Sequence, residues 1–83
     1  MKHEKATQIH SEVARFIDNE YKHYQCDIVC TDTIEDEWRV EILTRSSYIG
    51  GGYIKFASQL SDKYDCDIYI TTDSLGLPFI ALE

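Results

Sequence analysis

The chain has 83 residues, of which 43% are hydrophobic and 12% aromatic, a composition typical of one small globular domain spanning residues 1–83. Fifteen acidic residues against eight basic ones leave a net charge of −7. This balance argues against direct binding of nucleic acid, which needs clustered Lys and Arg. No apolar run reaches the roughly 18 residues of a membrane span, and no two cysteines have a Cys-x-x-Cys spacing. We therefore expect a cytoplasmic, reducing location with no membrane partner.

The first half of the sequence predicts a helix followed by two strands. Between about Glu4 and Tyr24, apolar residues recur at steps of three and four, the pattern of an amphipathic helix. Residues 26–31 then alternate between Cys or Ile and other residue types, as expected for a strand with one face toward the helices. Polar residues 32–36 predict a turn, and the return strand covers about Glu37–Leu43.

The second half predicts the same three elements again. A glycine-rich loop precedes a helix from about Gly51 to Asp65, whose apolar residues lie on one stripe. Residues 66–71 alternate like residues 26–31 and predict a third strand. A turn at residues 72–76 leads to a strand at about Pro78–Leu82, where proline suits a strand start or a sheet edge.

An internal repeat relates the two halves at an offset of forty residues. Residues 16–31 and 56–71 share six identical positions, where unrelated sequences would share about one. The shared pairs are Phe16/Phe56, Tyr24/Tyr64, Cys26/Cys66, Asp27/Asp67, Ile28/Ile68 and Thr31/Thr71. We therefore expect a duplicated unit, with copies at about 5–43 and 45–83. The expected fold is an α+β two-layer sandwich of order αββαββ, with a four-stranded, mainly antiparallel sheet and both helices on one face.

The sheet face that no helix covers is predicted to mix polar and apolar residues. It includes Arg39, Tyr69 and Phe79, and its aromatic side chains exceed what a solvated face needs. One interpretation is a contact surface for a protein partner. Another is a structural homodimer in which two such faces meet. A third is an ordinary surface, since scattered exposed apolar residues are common.

Four carboxylates cluster between the first two predicted strands, at Asp32, Glu35, Asp36 and Glu37. Carboxylates spaced by a few ångströms imitate nucleic-acid phosphates, so this hairpin favours a protein partner with a basic surface. The alternative is a solvated acidic turn. Together with the three open-face residues named above, these four are the residues that we expect to bind the partner.

In its size, its acidic charge and its lack of catalytic residues, the chain resembles the small inhibitors that phages encode, such as anti-CRISPR and anti-restriction proteins. The resemblance is to the class and involves no motif. It implies a small, acidic, non-enzymatic protein that binds a macromolecular partner and inhibits it.

The glycine-rich loop Gly50–Gly52 predicts a different function. A loop between a strand and a helix offers backbone amides and the helix dipole to a phosphate. Gly50 and Gly52 match the two glycines of the acyl-CoA pyrophosphate loop of the GNAT acetyltransferases, which this segment resembles, although Ser47 replaces the Gln or Arg of that loop. The resemblance covers about a third of the chain. It implies a small-molecule or acyl-CoA binding domain, or a reduced acetyltransferase.

The remaining polar residues are interpreted as structural. Cys26, Cys30 and Cys66 fall on helix-facing positions, so we expect buried, reduced thiols rather than nucleophiles. His3 and His10 lie seven residues apart, about 10 Å along a helix, which is too far for one metal ion. We therefore expect no enzymatic activity, no cofactor and no metal.

Overall fold

The computed structural model describes residues 1–20 and 23–83, and in this part of the chain it has two helices and four strands in the order αββαββ. They are α1 (His3–Glu20), β1 (Tyr24–Asp32), β2 (Glu37–Thr44), α2 (Gly51–Tyr64), β3 (Ile68–Thr72) and β4 (Pro78–Leu82). The strands form one antiparallel sheet in the order β1-β2-β4-β3, so β1 and β3 are its edges. The prediction of an α+β fold with a four-stranded antiparallel sheet is confirmed.

Helix α1 follows the predicted apolar stripe. Four residues at steps of three and four are buried by the sheet: Ala6, Ile9, Val13 and Ile17. Glu4 lies in the first turn, where a negative charge interacts favourably with the helix dipole. Residues 21–22, which the predicted helix included, lie outside the described residues.

The predicted helix was too long at its C-terminal end, because Tyr24 begins β1. Its backbone pairs with Thr44 of β2. Its ring stacks on Tyr53 with 3.7 Å between centroids, and its hydroxyl accepts a hydrogen bond from the Gly50 amide at 2.9 Å. An apolar residue at this position satisfies the helical periodicity and the strand alternation equally, so the pattern alone did not locate the boundary.

Helix α2 begins at Gly51 as predicted and ends at Tyr64. Asp65 terminates it with a left-handed φ of 51°, a conformation that Asp tolerates better than most residues. The amide of Cys66 then donates to the Ser61 carbonyl at 3.1 Å. The chain therefore leaves the helix before β3 starts.

One core joins the two helices to a single face of the sheet. Residues Tyr53, Ala57 and Leu60 of α2 belong to the same buried cluster as the α1 stripe. The central strands supply alternate residues, each nearly inaccessible to solvent: Val40, Ile42, Ile80 and Leu82. Burying an aliphatic side chain of this size contributes about 1.5–3 kcal/mol. This single core is consistent with both helices packing on one face, and among the described residues neither helix is long and apolar enough to cross a membrane.

The central strands β2 and β4 pair symmetrically with respect to the sequence repeat. Val40 pairs with Leu82 and Ile42 pairs with Ile80, and replacing both members of one pair by their repeat mates gives the other pair. Glu41 and Ala81 lie opposite each other at the centre of this arrangement.

The two hairpins do not share this symmetry. Ile28 pairs with Val40, but its repeat mate Ile68 pairs with Leu82 rather than Ile80, a shift of two residues. The irregularity in β1 between residues 30 and 32 accounts for one residue of this shift. The other arises because the loop between β3 and β4 is one residue longer than the loop between β1 and β2. β3 also begins at Ile68 and not at Cys66, as the repeat predicted. The duplicated αββ unit is therefore not confirmed.

Candidate functional site

Three of the residues expected to bind a partner meet on the open face of the sheet, the face opposite the helices. The Arg39 guanidinium contacts Glu41 Oε2 through Nη2 at 2.6 Å and through Nε at 2.7 Å. Its Nη1 donates to the Tyr69 hydroxyl at 3.2 Å, and that hydroxyl donates to Glu83 Oε2 at 2.6 Å. The guanidinium carbon also lies 5.9 Å from the centre of the Phe79 ring. We call these five residues the open-face cluster.

Phe79 lies on the open face as expected but is only 8% exposed. Glu41 and Tyr69 both flank Ala81 in the register, so the Arg39 side chain that joins them crosses above Ala81. The small alanine leaves room for this crossing and is itself fully buried. Phe79 therefore packs beneath a paired guanidinium instead of offering a free aromatic surface.

The hydrogen bonds of the cluster affect the ionisation of Tyr69. The hydrogen bond to Glu83 raises the pKa of the Tyr69 phenol, because an ionised phenolate would face a carboxylate, and partial burial acts in the same direction. The contact from Arg39 opposes this shift without cancelling it. Tyr69 is therefore neutral at physiological pH and stays available as a donor to Glu83.

The acidic hairpin, residues 32–37, is a structured turn. Asp32 Oδ1 accepts hydrogen bonds from the amides of Ile34 and Glu35 at 3.0 and 3.1 Å, the pattern of an Asx turn. Asp36 has a left-handed φ of 53°, and its Oδ1 accepts from the Trp38 indole at 2.7 Å. The carboxylates of Asp32 and Asp36 therefore stabilise the turn and also contribute to its negative charge.

Glu37 connects the hairpin to the beginning of the chain. Its Oε2 lies 2.9 Å from the Met1 amino group, and its Oε1 lies 3.5 Å from Lys2 Nζ. The hydrogen bond from the N-terminal amine is the main reason that the pKa of Glu37 is lowered. Lys2 Nζ also donates to the Glu35 carbonyl at 2.6 Å. Of the four predicted hairpin carboxylates, Glu35 alone has no hydrogen bond or ion pair to its side chain among the residues that the structure describes.

Charge is distributed unevenly between the two layers. Arg39 is the only basic residue in the four described strands. Four carboxylates belong to the open face or to the chain ends beside it: Asp27, Glu41, Asp67 and Glu83. With the four of the hairpin, eight carboxylates accompany one guanidinium. Four cations lie instead in the helices, Lys5, Arg15, Lys55 and Lys63, whereas Lys2 and the Met1 amine lie against the hairpin.

A cavity of about 460 Å³ lies beside the first turn of α2. Its walls are Phe16, His23, Tyr24, Tyr48, Gly50, Gly51, Gly52 and Tyr53. Tyr48 is 70% exposed, whereas Tyr24 and Tyr53 are buried and stacked on each other. The Gly50 amide already donates to Tyr24, which uses one of the donors that a phosphate would need. The volume falls in the range of small-molecule sites.

The cysteines are less buried than predicted. All three are reduced and only partly buried, because β1 is an edge strand and Cys66 lies before β3 instead of inside it. Burial nevertheless raises the pKa of the Cys26 thiol to about 12, with the nearby Asp27 contributing. Burial also raises the pKa of Cys66. These shifts oppose formation of the reactive thiolate.

Sequence reasoning missed a polar contact between the helices. Lys63 Nζ lies 3.0 Å from Glu12 Oε1, and the Tyr64 hydroxyl donates to the Glu12 carboxylate. The hydrogen bond from Tyr64 is the largest cause of the lowered pKa of Glu12. Glu12 lies more than fifty residues from Lys63 and Tyr64 in the sequence, so no local sequence pattern predicts these contacts. The role of Glu41, by contrast, had a signal, since it lies two residues from Arg39 on the same strand face.

Within the described residues, no three His, Cys, Asp or Glu side chains are arranged to hold a metal ion. Comparisons with protein-family models, with curated proteins and with solved structures found no match for this chain. The function must therefore be inferred from the geometry of the open-face cluster, the hairpin and the cavity.

Proposed function

We propose that this chain is a non-enzymatic acidic protein that binds a protein partner with a basic surface and inhibits it, as the phage-encoded inhibitors that it resembles do. The observation that supports this most is the segregation of charge. The open face and the hairpin hold eight carboxylates against three cations, which are Arg39, paired with Glu41, and the Met1 amine and Lys2, both beside Glu37. A basic groove approaching this side meets a net negative field, because these cations neutralise only part of the carboxylate charge.

The rigidity of the hairpin supports the same proposal. Asp32 accepts hydrogen bonds from two amides of the hairpin, Asp36 accepts one from the Trp38 indole, and Glu37 is held by the Met1 amine. A charged loop whose shape is already set loses less conformational entropy when it binds than a mobile one does. Three of the four hairpin carboxylates, those of Asp32, Asp36 and Glu37, are thereby held at fixed spacings, as phosphates are along a nucleic acid. Inhibition would follow from competition for the groove.

The test compares two variants with the same change in net charge. The hairpin variant combines Asp32→Asn, Glu35→Gln, Asp36→Asn and Glu37→Gln. The control combines Glu4→Gln, Asp18→Asn, Asp62→Asn and Gln8→Lys, all at exposed residues of the helical layer. The partner is first isolated from the source cell or its host with the wild-type chain as bait and is then purified. Circular dichroism establishes that both variants are folded.

Surface plasmon resonance against the purified partner then distinguishes the outcomes. We expect the hairpin variant to associate at least about tenfold more slowly at low salt, because surface charges steer encounter, and the difference to shrink at high salt. The control should stay within about twofold to threefold of wild type. Equal slowing of both variants would mean that only net charge matters. Unchanged binding and inhibition by the hairpin variant would refute the proposal.

The cavity beside Gly50–Gly52 favours a second candidate function, binding of a small molecule such as an acyl-CoA. It has the volume of a ligand site and an aromatic wall with Tyr48 at its exposed side. Isothermal titration calorimetry with acetyl-CoA and with CoA tests this. Binding that Tyr48→Ala weakens, and that Ile54→Ala on the outer side of α2 does not, would support it. An absence of heat at millimolar ligand would refute it.

We also propose that the two halves derive from one duplicated αββ unit, although their hairpin registers differ. The support is the symmetric pairing of β2 with β4 and the stacking of the repeat mates Phe16 and Phe56, with 4.1 Å between ring centroids. If Val40 and Ile80 occupy equivalent sites, the double swap Val40→Ile with Ile80→Val should cost less stability than the two single changes added together. Urea unfolding measures all three variants, and simple additivity would contradict equivalence.

A further inference from the structure

Strand β3 exposes a hydrogen-bonding edge, and two contacts identify which backbone groups lie on it. The Glu83 amide donates to the Asp67 carbonyl, and the Asp73 amide donates to the Leu77 carbonyl, each at 2.9 Å. Hydrogen-bonded pairs recur every second residue in an antiparallel ladder, so Tyr69 and Thr71 also direct their N–H and C=O groups toward β4. The intervening residues direct theirs away from the sheet: Ile68, Ile70 and Thr72.

This edge lacks the features that usually prevent pairing with another chain. The strand Ile68–Thr72 contains no charge, no proline and no bulge, and Ile70 is 50% exposed. The other edge strand, β1, differs. It includes Asp27 and Asp32, and its ladder is interrupted just after Cys30. One edge of the sheet is thus protected and the other is open.

Carboxylates flank the open edge at both ends. Asp65 and Asp67 precede β3 and are exposed. Asp73 follows it, where its Oδ1 accepts from the amides of Leu75 and Leu77 at 2.8 and 3.0 Å and is held in place. A strand lying along β3 would therefore have its apolar middle against Ile70 and its ends beside negative charges. Charge complementarity calls for Lys or Arg at those ends.

We propose that β3 accepts an extended polypeptide segment of a partner protein, one with β-branched residues in the middle and basic residues at its ends, as a fifth strand of the sheet. Main-chain hydrogen bonds to Ile68, Ile70 and Thr72 would hold the segment, and the flanking carboxylates would select its charge. The proposal rests on the proposed function only in that the segment belongs to a protein partner. It can be tested without that partner.

A second copy of this chain fits the same edge less well. The antiparallel register that pairs every outward-facing group of β3 places Ile70 opposite Ile70 of the second copy. The same register places Asp67 opposite Asp73 of the second copy, and like charges directly opposite each other are destabilising. Each molecule also has a net charge of −7, which opposes association of two copies. A basic segment avoids both penalties.

The experiment uses the full chain labelled with ¹⁵N and a blocked peptide of sequence Lys-Val-Thr-Val-Thr-Val-Lys. The control peptide has Glu in place of both Lys residues. Amide hydrogen exchange of the free protein should be slow at Tyr69 and Thr71 and fast at Ile70 and Thr72. We expect the basic peptide to slow exchange at Ile70 and Thr72, and to bind about tenfold more tightly than the acidic peptide at low salt.

Two variants at Ile70 test whether the peptide binds at the edge of β3. Ile70→Pro removes one outward N–H and no hydrogen bond to β4, so the fold should survive while peptide binding is lost. Ile70→Lys adds a positive charge on the edge and should weaken binding of the basic peptide about tenfold. Its control, Ile34→Lys, makes the same charge change at a residue that is 90% exposed in the hairpin turn. This control should leave peptide binding within about twofold of wild type.

Several results would overturn the proposal. They are the absence of peptide-dependent protection at Ile70 and Thr72 at millimolar peptide, equal binding of the two peptides, and equal effects of the two lysine variants. A dimer that sedimentation equilibrium detects and that Ile70→Pro dissociates would identify a second copy as the occupant and would also overturn it. If the peptide fails while the hairpin variant still loses the purified partner, the edge proposal fails and the proposed function stands.

Discussion

Replacing Arg39 by methionine tests whether the open-face cluster is a built structure. The substitution keeps most of the apolar stem but removes both contacts to Glu41, at 2.6 and 2.7 Å. The Glu41 side chain, which is only 12% exposed, then retains a charge without its partner. The Tyr69 hydroxyl also loses a donor, and Ala81 loses part of its cover.

The expected loss of stability follows from this geometry. Leaving a buried polar group unsatisfied costs about 1–3 kcal/mol, and more when the group is charged. Breaking a fully buried ion pair costs about 3–5 kcal/mol. Arg39 retains 27% exposure of its side chain, so water can reach part of the site and the cost should fall below that range. We expect about 2–3 kcal/mol, which for a domain of this size lowers Tm by roughly 10–20 °C.

Urea unfolding followed by far-ultraviolet circular dichroism and by the fluorescence of Trp38 measures this change. The control Lys55→Met makes the same change of charge at an exposed residue of α2 and should stay within about 0.5 kcal/mol of wild type. Adding Glu41→Leu to Arg39→Met should restore part of the loss, because the isolated buried carboxylate is gone.

The reasoning is refuted if Arg39→Met costs no more than Lys55→Met, since Glu41 would then be adequately hydrated without the guanidinium. If the double variant Arg39→Met/Glu41→Leu is no more stable than Arg39→Met alone, the loss of stability comes from the uncovered Ala81 and Phe79 and not from the unpaired charge of Glu41.

Three further predictions concern other parts of the molecule. The hydrogen bond from Tyr64 lowers the pKa of Glu12 in the folded chain. The ionised Glu12 therefore stabilises the fold above its pKa in the unfolded chain, and this stabilisation is lost as pH falls through its pKa in the folded chain. The Tm values of wild type and Glu12→Gln, measured against pH, should converge in acid. In chains that retain a single cysteine, Cys26 should react with a thiol reagent more slowly than Cys30 at pH 8, and equal rates would contradict the burial of Cys26. At Asp36, whose φ is 53°, Asn should be nearly neutral and Val should cost about 1–3 kcal/mol in urea unfolding followed by circular dichroism; equal stability of the two variants would rule out a left-handed turn.

The sequence by itself determined the type and order of the elements. Helical periodicity and strand alternation are local properties, readable wherever a segment buries one face, and they placed α2, β2 and β4 to within a residue or two. The same locality explains the errors. Tyr24 suits a helix or a strand equally well, and Cys66 was assigned to a strand by analogy with Cys26, because no local signal records a register shift.

Only the tertiary structure decided which residues form a site. The sheet order placed β2 beside β4, and that neighbourhood put Ala81 between Glu41 and Tyr69. A long Arg39 side chain could then cross the small residue, pair with Glu41, donate to the Tyr69 hydroxyl and cover Phe79. The sequence pattern assigned each of these residues to a face. It could not assign their neighbours, because contacts between strands depend on order and register, which are properties of the folded chain as a whole.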